Sequence, residues 1–201
     1  MGTMPIPKLL LTMSGPMMIS MFIQALYNVV DSMFVSYISE AALTAVSLAY
    51  PMQNLMIAVA TGTGVGVNAL LSRNLGEKNY SMANRVAGNA IFLGLVSYVV
   101  FALLGLLGSR FYFSVQVEDP NIIALGHDYL SIVTILSIGC FGQVLLSRLL
   151  QSTGKTFYSM VIQMVGAGLN LVLDPIMIFG LLGFPKMGVA GAALATVISQ
   201  L

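Results

Sequence analysis

Charge is scarce in this chain. Only 7% of its 201 residues are Asp, Glu, Lys or Arg, whereas 58% are apolar. A soluble domain carries about 25% charged residues. The deficit excludes a molecule whose whole surface faces water, and the mean hydropathy of +0.94 points to hydrocarbon as the main solvent. A net charge of +1 gives no electrostatic argument for a nucleic-acid partner. The single cysteine, Cys140, excludes an internal disulfide, and its apolar surroundings read as those of a small core side chain. No Ser/His/Asp set, zinc-ligand spacing or nucleotide-binding loop is present, so the sequence marks neither an enzyme nor a cofactor site. Long linkers, low-complexity stretches and clear internal repeats are also missing.

Long apolar runs are what the chain does have. Five of them, at 9–37, 42–71, 86–108, 122–147 and 157–182, exceed the roughly 20 residues that a membrane helix needs. A sixth begins at Gly188 and reaches Leu201, about 21 Å of helix against a hydrocarbon core of about 30 Å. The expectation is an all-α polytopic membrane protein whose sixth helix is incomplete, and therefore part of a longer protein. The first run is longer than a signal-peptide core and lacks a small-residue cleavage site, so it reads as a permanent span.

If the spans alternate, Lys8, Arg73, Lys78, Arg85, Arg148 and Lys155 fall on one side, and Arg110 and Lys186 on the other. Cytoplasmic loops carry the excess of Lys and Arg, which predicts a cytoplasmic N-terminus. The loop Arg73–Asn79 is a polar turn in which Gly76 can adopt positive φ. Pro120 and Asn121 open the fourth span. Pro16, Pro51 and Pro175 lie inside spans, where each marks a kink or is merely tolerated. Pro175 is the favoured bend because it follows an acid.

That acid is one of two inside otherwise apolar stretches, Asp31 and Asp174. An ionised carboxylate costs about 2.5–3.5 kcal/mol at the centre of a membrane helix, so each needs a reason to be there. Counted from the outer span ends, both lie about 9–12 Å deep. Asn28 is three residues from Asp31 and Asn170 four from Asp174, so each amide shares a helix face with its acid. Thr196 reaches the same layer, and Gln24 and Tyr27 extend the polar face of the first span. Carboxylate, amide and hydroxyl oxygens suit a hard monovalent cation, and a desolvated carboxylate equally suits a proton. Na⁺ at Asp31 and Asp174 is the one metal ion this chemistry would take. The alternative is hydrogen bonding between helices with no ligand.

Several segments carry a family likeness. The stretch from Pro16 through Asp31 to Val35 resembles the opening of the multidrug and toxic compound extrusion (MATE) family. So do Ala41–Ser47, Asn74–Lys78, Asn170–Pro175 and Gly188–Thr196, in the same order along the chain. The likeness is strongest to the prokaryotic branch with an aspartate in each of helices one and five. It implies twelve helices in two six-helix lobes, exchange of inward H⁺ or Na⁺ for outward organic, often cationic, compounds, and a location in the inner (plasma) membrane. Residues 1–201 would then be the N-terminal lobe, and its partners a C-terminal lobe, the bilayer and small organic substrates. The family's cation site carries over onto Asp31, Asn170, Asp174 and Thr196. Gln24, Tyr27, Asn28 and Met21 would line the substrate cavity.

Other features have plainer readings. The run Thr61–Gly66 reads as close helix packing, not a phosphate loop, because no Lys-Ser/Thr follows. Met13, Met17 and Met21 recur at helical spacing and read as packing or as an adaptable wall for varied substrates. His127 reads as an interfacial residue, with proton entry as the alternative. Three rivals remain. A lipid-linked glycan flippase should need a basic cavity, but the predicted spans hold Lys and Arg only at their ends. An intramembrane aspartyl protease should show Tyr-Asp and Gly-x-Gly-Asp, where this chain has Val30-Asp31 and Leu173-Asp174. The third is an inactive truncated fragment.

Overall fold

A computed structural model describes residues 6–201, without the side chains of Ile6, Lys8 and Leu9. The share of Lys8 in the charge asymmetry therefore lies outside the described residues. Among the described residues seven α-helices follow one another: α1 (Ile6–Ser36), α2 (Glu40–Gly76), α3 (Tyr80–Gln116), α4 (Pro120–Ile135), α5 (Ile138–Ser152), α6 (Thr156–Phe179) and α7 (Val189–Gln200). Helices α1, α2, α3 and α6 are each long and apolar enough to cross a membrane, and α4 with α5 forms a further crossing bent by 44°. Helix α7 is apolar and shorter, at 12 residues.

Local chemistry sets the helix starts. The Ser39 hydroxyl accepts from the Ala42 N–H, Asn79 Oδ1 from the Met82 N–H, and Asp119 Oδ1 from the Asn121 N–H. Each satisfies a donor that the first turn leaves open, and Pro120 occupies the position where a missing N–H costs nothing. Helices α1, α2 and α6 continue through Pro16, Pro51 and Pro175.

Two expectations need correction. Gly76 stays helical, and the left-handed turn falls on Lys78, at φ 57°. The Arg73 Nε–Glu77 Oε1 ion pair, at 2.9 Å, supports one more helical turn than the polar run implied. The stretch 122–147 is not one straight helix but breaks at Leu136–Ser137. There Thr134 Oγ1 donates to the Leu130 carbonyl at 2.6 Å and also lies 3.2 Å from that of Ser131, while the Ser137 N–H closes a tight turn on the Thr134 carbonyl. Hydroxyls that bond back onto the preceding turn bend helices, and no proline announces the bend.

Helix α1 packs chiefly on α6, α2 on α5 and α3, α3 on α4, and α6 on α7. Leu103, Leu107 and Phe111 leave one face of α3 apolar and exposed, as a lipid-facing helix requires. Ala42, Ala45, Ala49 and Ala60 are fully buried and let α2 approach its neighbours closely. The α6–α7 seam is tighter still. A Cβ on Gly166 would lie 2.7 Å from the Ser199 carbonyl oxygen, and one on Gly191 2.5 Å from that of Met177. Between these helices the chain turns back on itself, and the Met187 and Gly188 N–H groups donate to the Met177 and Ile178 carbonyls that end α6.

Because backbone cannot yield as a side chain can, Gly191→Val is expected to cost about 1–3 kcal/mol. This would appear as a lower midpoint when heated, detergent-solubilised protein is followed by gel filtration. Gly62→Ala, whose Cβ would meet nothing within 4 Å, should leave that midpoint unchanged.

Candidate functional site

Asp31 and Asp174 each stand five residues before the end of a helix, Ser36 for α1 and Phe179 for α6. These two helices run parallel and in contact, so equal registers become equal heights. Asp174 is fully buried, Asn170 is 1% exposed, and Asn170 Nδ2 donates to Asp174 Oδ1 at 3.2 Å. The Asp31 and Asp174 carboxyls lie close enough to interact with each other.

The cluster holds acceptors and almost no donors. Asp31 Oδ1, Asn170 Oδ1 and Asp174 Oδ2 are buried and receive no hydrogen bond from the protein. Among the described residues only one other buried side-chain polar atom is in that position, Ser137 Oγ at the α4–α5 break. Two carboxylates this close cannot both stay ionised without a positive charge between them, because the repulsion of like charges is barely screened in a medium this dry. A proton shared between the acids, or a monovalent cation bridging them, removes the repulsion and uses the orphaned oxygens together.

A cleft of about 730 Å³ opens beside the pair. Asp31, Gln24, Tyr27 and Asn28 of α1 line it, as does Thr196 of α7. Of the cavity residues expected from the sequence, Met21 alone lies elsewhere, in a smaller pocket nearer the other end of the bundle. Asp31, Asn170 and Asp174 are brought together, and the tight α6–α7 seam carries Thr196, 7% exposed, to the same cleft. His127 does not reach it. Its Nδ1 is 2.7 Å from Ser109 Oγ, on the α3–α4 seam.

Two cleft residues escaped the sequence reading. Gln53 Nε2 donates to Tyr129 Oη at 3.1 Å, tying α2 to α4 on the wall opposite α1. Their signal was a lone amide and a lone phenol in apolar runs, too common in membrane helices to select without the fold. Arg148, counted among the loop cations, is instead inside α5.

The MatE family model matches residues 16–176. This chain belongs to the MatE family. Proteins of that family are transporters and not enzymes, which removes the aspartyl-protease reading. Among curated relatives, a FAD transporter of Shewanella oneidensis is 32% identical over 98% of this chain and 44% of its own length. The multidrug export protein MepA of Staphylococcus aureus is 28% identical over 98% and 43%. The solved structure of the MATE multidrug transporter DinF-BH superposes with a TM-score of 0.91 at 36% identity, covering all of this chain and 44% of that one. A MOP superfamily transporter from Pyrococcus furiosus gives 0.89 at 31% identity, covering 96% and 42%. The fold is thus the N-terminal helical lobe of a MATE transporter, and the chain spans less than half the length of the curated relatives it matches.

Asp174→Asn keeps the shape of the side chain and adds a donor where acceptors crowd. The thermal midpoint in detergent is expected to hold or rise, by the equivalent of about 1 kcal/mol. A clear fall would make Asp174 a structural tie.

Proposed function

We propose that this lobe supplies the cation site of a membrane antiporter that exports small organic compounds, often cationic, in exchange for H⁺ or Na⁺. In that reading the protein sits in the inner membrane with its N-terminus cytoplasmic, and a C-terminal lobe completes the translocation path. The observation that carries the proposal is the group of three orphaned oxygens on Asp31, Asn170 and Asp174. Unpartnered acceptors give that cluster no stabilising role of its own, since a buried polar atom left without a hydrogen bond costs stability.

The cycle follows from charge. From outside, a cation or proton enters the 730 Å³ cleft and loads the acid pair. Repulsion between α1 and α6 disappears, and the arrangement of lowest free energy changes. An ion shifts that equilibrium only by binding one arrangement more tightly than the other. Helix α1, with Pro16 about a third of the way along it, is the element that responds, and its Gln24, Tyr27 and Asn28 line the cleft from which substrate would leave. The relatives' names span FAD and multidrug export, so what they would share with this lobe is the coupling site more than a fixed substrate pocket.

In proteoliposomes holding the complete transporter, Asp31→Asn and Asp174→Asn should each abolish cation-driven efflux at normal expression. Undiminished transport in both would discard the site. A pure Na⁺ gradient tested against a pure H⁺ gradient identifies the ion. Sodium needs more oxygens than the two acids offer, so sodium coupling predicts that Asn170→Leu weakens ion affinity by about tenfold or more. Proton coupling predicts little change in that variant, because one shared proton needs no third oxygen.

A further inference from the structure

Polar side chains continue from the acid pair toward the other end of the lobe. Gln24, Gln143 and Gln163 line a small pocket that Asn170 also borders. The same three glutamines line a second pocket of about 130 Å³, which adds Ser147 and Arg148 of α5 and Thr61 of α2. Arg148 is half-buried there, one turn before the end of its helix. Its Nη1 donates to Gln151 Oε1 at 3.0 Å. Gln151 Nε2 and Gln163 Nε2 both donate to Ser159 Oγ, at 3.1 and 3.3 Å, which ties the guanidinium to α6.

The charge balance of this pocket is the reverse of that at the acid pair. Among the described residues the one ion pair is Arg73–Glu77, so no carboxylate neutralises Arg148. A guanidinium has five N–H donors in a planar fork, and the bond to Gln151 uses one. Ser147 is 7% exposed, and neither its hydroxyl nor the Gln143 amide is hydrogen-bonded within the described residues. Gly64, from the glycine run of α2, gives the arginine its place: a Cβ there would lie 2.8 Å from Arg148 Cγ. The pocket therefore concentrates unused donors around an unpaired positive charge.

We infer that this inner pocket is a phosphate site, in which Arg148 forks onto two oxygens while Ser147 and Gln143 bind the others. The phosphate belongs either to an organic solute or to a phospholipid headgroup, which present the same oxygens to the fork. The inference is independent of the acid pair, because it uses none of the acid pair's oxygens.

Phenylglyoxal modification read by mass spectrometry tests it on the unaltered protein in detergent. Inorganic pyrophosphate at about ten times its dissociation constant should slow modification of Arg148 by about tenfold, leaving exposed Arg110 unaffected. A parallel arm replaces pyrophosphate with phosphatidylglycerol micelles. Protection by pyrophosphate alone assigns the site to a solute, and protection by the lipid, alone or as well, assigns it to a headgroup. Unchanged Arg148 reactivity with both probes overturns the inference. So does full pyrophosphate affinity, by isothermal titration, in an Arg148→Gln variant that keeps its gel-filtration profile.

Discussion

Inside hydrocarbon no solvent completes an unfinished hydrogen bond, so polar groups must find partners within the protein. The lobe obeys that constraint nearly everywhere. The starts of α2, α3 and α4 are capped by side chains, several serine and threonine hydroxyls bond back onto their own helices, and the turn after α6 covers the last carbonyls. Asp31, Asn170 and Asp174 break the rule together. A single buried acid can be excused by one donor nearby. Two on facing helices, with an amide oxygen beside them, form a surplus of negative charge that a positive ion or a proton would relieve.

That surplus lies on a particular seam. Helix α1 meets α6 far more than it meets α2 or α7, so the contact the acids push apart is also the one that holds α1 in the bundle. Elsewhere the cleft wall is fixed more firmly, by the Gln53–Tyr129 bond and by the glycine contacts between α6 and α7. Elements with fewer packed contacts move at lower cost. Neutralising the pair therefore acts where the lobe resists least, and this is why α1 rather than α6 is the responsive element in the proposed cycle.

Much of this was legible in the residues. The apolar runs each fall on a helix or on the bent pair α4–α5, because about 20 residues of low polarity have few other uses. The shared height of Asp31 and Asp174 followed from counting turns. More was available than that count used. Ser20, Gln24, Tyr27 and Asp31 repeat the offsets of Gln163, Ala167, Asn170 and Asp174, so two stripes of the same period end in the two acids. The bend at Leu136–Ser137 was not legible, because it arises from hydroxyl bonds that compete weakly with the helix and leave no proline behind. Nor was the interior position of Arg148. A cation at a span end reads as a loop residue until the glycine that admits its stem is seen on the neighbouring helix.

Where the ligands come from separates two properties that transport joins. The oxygens of the acid cluster are drawn from α1 and α6, and Thr196 beside them from α7, so the proposed binding of a proton or cation there would call on nothing outside this lobe. Moving a substrate does, because the 730 Å³ cleft is an open surface feature and a translocation path needs a facing wall. Ion affinity should then belong to these residues whatever stands opposite them, while the use made of that affinity depends on what closes the cleft. In the proposed cycle, a lobe built this way would carry the driving force in its own helices and leave choice of cargo to a shared surface.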